Sequence, residues 1–142
     1  MLKTQVAIKM TMEILDAGKQ DVTIVEEKGQ LLEKANTTVL KFSEENENKE
    51  RTDSLITIHS DRVSVKRSGA VSMLQKFDEK RITENVYRHQ FGTIHMQTET
   101  EQVTYQPPQA NEDGKLFISY STSLNNDKPR RHLLTILVKK EE

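Results

Sequence analysis

Apolar and polar residues alternate with a period of two along most of this chain. The longest such run spans residues 63–77. Val63, Val65, Arg67, Gly69, Val71, Met73, Gln75 and Phe77 share one parity, and Ser64, Lys66, Ser68, Ala70, Ser72, Leu74 and Lys76 share the other. A period of two is that of a β-strand with one face in a core and the other largely wet. The core parity is mostly apolar but also holds an arginine and a glutamine. That suits a strand bent around a closed barrel, with polar groups directed into the interior. Gly69 is the residue at which the run divides into two arms around a corner.

The same period recurs on either side. Val6, Ile8, Met10, Met12 and Ile14 mark a first strand, and the turn at residues 16–19 contains Gly18. Residues 21–34 return as a second strand interrupted by Gly29, with residues 30–34 readable as strand or as one helical turn too short to stand alone. Residues 37–43 form a third strand that buries either Leu40 and Phe42 or Val39, and residues 55–59 a fourth after a polar loop. Residues 82–91 place Asn85, Tyr87, His89 and Phe91 on one side. The following strand runs through Ile94, Met96, Thr98 and Thr100 until Pro107 and Pro108 end it. Leu116, Ile118 and Tyr120 share a face of the next strand. In residues 133–139 both parities are apolar, with Leu134, Ile136 and Val138 against Leu133 and Leu137. That strand is expected to be covered from two directions, with a second subunit as one cover. Short sequential connections imply antiparallel neighbours, so the chain predicts an all-β, closed up-and-down barrel of about 8–10 strands. An open β-sandwich is the alternative that periodicity does not separate from it.

Composition narrows this picture. The 142 residues fit a single domain over 1–142, and 34% apolar with 30% charged residues is lean for a sheet covered by helices on both faces. A net charge of −1 offers no basic field for nucleic acid or an anionic membrane. No segment approaches the apolar length of a membrane-spanning helix. The absence of cysteine removes thiolate chemistry and disulfides and favours a reducing, cytoplasmic setting.

The run Arg67, Ser68, Gly69, Ala70, Val71, followed by Met73, Gln75 and Phe77, then Thr83, Tyr87, Phe91, Gly92, Thr98 and Thr100, resembles the YwiB-like family of small bacterial proteins of unknown function. The resemblance covers nearly the whole chain and is most specific over residues 65–100. It implies a calycin-type, lipocalin-like barrel in the bacterial cytoplasm and assigns no catalytic residue. Calycin relatives often hold small apolar ligands, which is an analogy of fold alone.

Chemistry is sparse. Inward Arg67 and Gln75, joined by Tyr87, are the polar anchors of the interior. Its lining is expected from Val63, Val65, Val71, Met73, Phe77, Ile118 and Tyr120. A buried guanidinium needs compensation. Arg67 therefore either pairs with an inward Asp or Glu that pins the strand register, or faces a cavity and holds an anionic head group in bidentate geometry. His89 and His95 flank Gly92 and would approach each other in a hairpin, yet two imidazoles make at most half a zinc site, so no metal is expected. Ser68 lacks the glycines of a nucleophile elbow, whose positions hold Lys66 and Ala70. No phosphate-cradling loop is present, and the clusters at Arg130, Arg131, His132 and at Lys139, Lys140 read as solvated turns. The expectation is a non-enzymatic barrel without cofactor. Arg67, Gln75, Tyr87, Met73, Phe77 and Tyr120 would contact a small apolar or anionic ligand. The alternative is a self-associating module with a filled core, the last strand contributing to a homodimer.

Overall fold

The structure is a computed structural model and describes residues 2–141. Ten strands follow one another: β1 (Leu2–Asp16), β2 (Lys19–Lys34), β3 (Thr37–Glu45), β4 (Arg51–Ile58), β5 (Arg62–Gly69), β6 (Ser72–Asp78), β7 (Thr83–His89), β8 (Gly92–Gln106), β9 (Gly114–Leu124) and β10 (Arg130–Lys140). Each pairs antiparallel with its neighbours in sequence, and β1 pairs with β10 from Val6↔Lys140 to Leu15↔Arg131, so the sheet closes on itself. This is the closed up-and-down barrel, not the open sandwich.

Residues directly opposite one another in a ladder share a face, so the register identifies the interior. Ile56, Val65 and Gln75 lie in one row, and Ser54, Arg67, Met73 and Tyr87 in the next. The core of buried side chains takes residues from eight strands, among them Val6, Ile8, Leu31, Leu40, Phe42, Phe77, Ile118 and Ile136. Each such side chain contributes roughly 1.5–3 kcal/mol when buried. Phe77 and Tyr120 meet edge to face across the interior, with ring centroids 4.6 Å apart.

Residues 30–34 are strand, not a helical turn, and Leu40 with Phe42 is the buried pair of β3. The run over residues 63–77 is not one strand bent at a corner but a hairpin: Gly69, with φ +116, ends β5, and β6 folds back antiparallel on it from Val63↔Phe77 to Arg67↔Met73, which keeps the odd positions of both arms on one face. Val71, expected in the lining, lies in the bend between β5 and β6 and on neither strand. Phe91, expected beside Tyr87, lies in the turn before β8 and is 84% exposed, because β7 ends at His89. On β10, Leu134, Ile136 and Val138 are buried inside, while Leu133 and Leu137 are half-buried on the outer face.

Two ladders are incomplete. β6 and β7 pair only at Ser72↔Arg88 and Met73↔Tyr87, helped further along by the Thr83 hydroxyl donating to the Lys76 carbonyl at 2.6 Å. β2 meets β3 only from Gly29↔Phe42 onward, so residues 19–28 of β2 pair with β1 alone.

Candidate functional site

Arg67 is held on the inner face by its pairing with Ser54 on one side and Met73 on the other. It is half-buried, as are Met73 and Tyr87, whereas Ser54 beside it is buried. These residues form one end of the interior. The expected inward carboxylate is not there: among the described residues Arg67 forms no salt bridge, the acidic partners going to Lys28, Arg51, Arg81, Arg130 and Arg131. The half-burial explains how the chain tolerates this, since the head of a long side chain reaches water while its stem packs.

Behind Arg67 the interior turns polar. Gln75 is 6% exposed, and its Nε2 donates to Thr98 Oγ1 at 3.1 Å and lies 3.7 Å from the Met96 sulfur. Thr122 Oγ1 hydrogen-bonds His132 Nε2 at 2.7 Å, and the His132 ring stacks on Tyr120 at 4.8 Å. Tyr120 in turn donates its hydroxyl to the Met12 sulfur. Among the described residues Asn85 Nδ2, Thr100 Oγ1 and His132 Nδ1 are buried without a hydrogen-bond partner. A buried polar atom left unpaired costs about 1–3 kcal/mol. Burial holds His132 down to about 4, with nearby Arg130 acting in the same direction. Burial pushes the Tyr120 phenol far above its ordinary range, and pushes Tyr105 up to about 12 with help from Glu33.

All six expected site residues lie on inner-facing positions, but they do not enclose one cavity. Phe77 and Tyr120 are core fillers touching each other, and Gln75 is spent on Thr98. Sequence reasoning missed His132, Asn85 and Thr122. Asn85 and Thr122 were visible in the alternation, as inner-parity neighbours of Tyr87 and Tyr120. His132 was not, because it reads as part of a basic turn. His89 and His95 stand on opposite faces, since His95 pairs with Val86 while Tyr87 pairs with Ile94. No cluster of three or more metal-ligating side chains occurs among the described residues.

The open depressions lie on the wall. One of about 620 Å³ runs across the outer surface of β2, β3, β4 and β5, lined by Lys28, Lys41, Arg51, Lys66, Ser43, Ser68 and Asp53. Arg51 and Ser43 both bind the Asp53 carboxylate, Ser43 at 2.6 Å and Arg51 at 2.7 Å, which hold it below the usual carboxylate range. A second, of about 530 Å³, follows the short β6–β7 ladder past Lys76, Phe77, Ile82 and Thr83. Asp78, at its edge, is held below its ordinary value by the Lys80 backbone N–H and by Arg81.

With this geometry in view, the family model described as domain of unknown function (DUF1934) matches residues 8–136. The chain belongs to the DUF1934 family. The uncharacterized β-barrel protein YwiB of Bacillus subtilis (strain 168) is 27% identical to it over 134 residues, which are 94% of this chain and 92% of that protein. The crystal structure of the ywiB protein from Bacillus subtilis matches this fold with a TM-score of 0.84 at 25% identity, covering 99% of this chain and 94% of that one. The resemblance read from residues 65–100 is therefore a family membership, in a family of unknown function.

Proposed function

We propose that this DUF1934 barrel is a non-enzymatic, cytoplasmic binding protein that takes a small anionic ligand at the Arg67 end of its interior. The observation that carries the reading is Arg67, an inner-facing, half-buried residue beside Met73 and Tyr87 with no carboxylate among the described residues to neutralise it. Arginine's planar fork suits a carboxylate or phosphate. The same end of the interior holds flexible Met73 beside Tyr87, adaptable contacts for a short apolar body. The packed core behind it favours a small anion over a long-chain lipid. Neither nucleic acid nor membrane is invoked, given a net charge of −1.

A second reading places the anion in the outer depression, because Lys41 and Lys66 stand on either side of Leu55 there without a carboxylate partner among the described residues. One titration separates the two. Decanoate and inorganic phosphate are titrated calorimetrically into the wild type, Arg67→Met and the double variant Lys41→Glu/Lys66→Glu. The interior reading expects binding to vanish in Arg67→Met and persist in the lysine variant. The reverse pattern supports the outer depression, and a wild type that binds neither probe overturns both. Native mass spectrometry of protein from its own cells then shows which molecule co-purifies.

A further inference from the structure

The upper half of β2 is a bare sheet edge. Residues 19–28 pair with β1 on one side and with nothing on the other, because the β2–β3 ladder starts at Gly29. Residues 19–24 are all exposed, including Asp21 and Thr23, whose parity points inward on the barrel proper, so this end of the β1–β2 hairpin extends past the core. Val22 and Ile24 are 52% and 56% exposed on its outer face. An unpaired edge of this length presents a row of free N–H and C=O groups, and proteins ordinarily blunt such edges with proline, bulges or a covering loop. Here the stretch Val22, Thr23, Ile24, Val25 is β-prone, contains no proline and is uncovered.

We propose that this edge is the dimer interface, occupied by the same edge of a second copy in antiparallel register centred on Thr23. A two-fold axis through the sheet makes such a contact self-complementary. It also requires residues of like parity to face each other. The turn at Ala17 and Gly18 bounds the free segment on one side and the start of the β3 ladder bounds it on the other. Two such registers centre the contact within it, and charge chooses between them. Centring on Ile24 sets Asp21 opposite Glu27 and Val22 opposite Glu26. Centring on Thr23 sets Lys19 opposite Glu27 twice over and Val22 opposite Ile24 twice over. Opposite charges and apolar pairs directly across a ladder stabilise it, whereas like charges destabilise it. The Thr23 register therefore satisfies the free backbone groups, covers Val22 and Ile24, and joins the two barrels into a continuous sheet across β2. This contact uses the edge of β2 and leaves free the outer face of β10, where Leu133 and Leu137 are half-buried.

The test uses the full chain, which has no cysteine of its own. In the proposed dimer a residue at the two-fold centre faces itself, within reach of a disulfide. Under mild oxidation Thr23→Cys is expected to form a covalent dimer rapidly. Asp21→Cys, whose two copies would lie several residues apart, is expected to form no covalent dimer. Independently, sedimentation equilibrium is expected to show a dimer for the wild type and, for Lys19→Glu, a dissociation constant raised about tenfold by the like-charge pairs this creates. The swap Lys19→Glu/Glu27→Lys restores it. A wild type that sediments as a monomer at about 100 μM, far above the μM range of specific complexes, overturns the proposal. So does equal cross-linking of both cysteine variants, or a charge swap that fails to rescue a folded Lys19→Glu protein.

Discussion

His132 is a base kept neutral by its surroundings. Its ordinary value is 6.5, and burial with nearby Arg130 brings it to about 4 in the folded barrel. Below pH 6.5 the unfolded chain therefore takes up a proton that the folded chain refuses until about pH 4. The barrel's stability is full above 6.5 and falls as the pH drops through that window. Urea midpoints measured at pH 7 and pH 5 are expected to differ in the wild type, and the difference to shrink in His132→Gln. Arg67 is the opposite case, a charge with no counter-charge to strand. Removing one partner of a buried pair is strongly destabilising, but here there is none, so Arg67→Met is expected to change unfolding free energy by less than about 1 kcal/mol or to raise it. Urea unfolding checks this alongside the binding assay. The sequence placed Arg67 inward correctly, because parity is a property of the strand itself. Its lack of a partner was not legible, since which acid reaches which base depends on neighbours distant in the chain.

At the scale of the strands, alternation located most elements because each has one dry and one wet face. It faltered where strands leave the barrel wall or meet at turns. Val71 and Phe91 carry apolar side chains in register with a strand, yet β6 begins at Ser72 and β7 ends at His89. The two glycines that looked like interruptions do have structural reasons. A Cβ on Gly69 would run into the Arg51 carbonyl oxygen, and its φ of +116 lies in the region that favours glycine. Gly29 lies where β2 and β3 first meet, and a Cβ there would strike the Lys41 carbonyl oxygen and Ile8. Gly69→Ala is therefore expected to lower stability by at least about 1–3 kcal/mol, the backbone strain adding to the clash with the Arg51 carbonyl. Differential scanning calorimetry reads this as a fall in Tm with the fold intact. The bare half of β2 could not be read from sequence, because its alternation matches that of a paired strand.

For the whole molecule, one interior ties the strands together. Ile136, fully buried on β10, packs in the same core as Val6 of β1 and Leu40 of β3. Ile136→Ala is expected to cost about 2–5 kcal/mol and to leave unfolding as one cooperative transition. Coincident denaturant curves from circular dichroism and tyrosine fluorescence would establish the second point. The antiparallel order was legible from short connections and the absence of helical periods, whereas closure rests on the β1–β10 pairing, which no local period reveals. The inner parity of Thr98, Thr100 and Thr122 was legible too; that Thr98 meets Gln75 and Thr122 meets His132 was not, since those partners lie on other strands.

The seam between β1 and β10 joins the earliest strand to the latest. A ribosome releases β1 first, and its bonding row toward β10 stays unsatisfied until that last strand has emerged. Loop-closure entropy over nearly the whole chain must be met before the cylinder seals, which predicts slow refolding for its size. Sealing therefore waits on β10, and a chain halted before that strand keeps the β1 bonding row exposed.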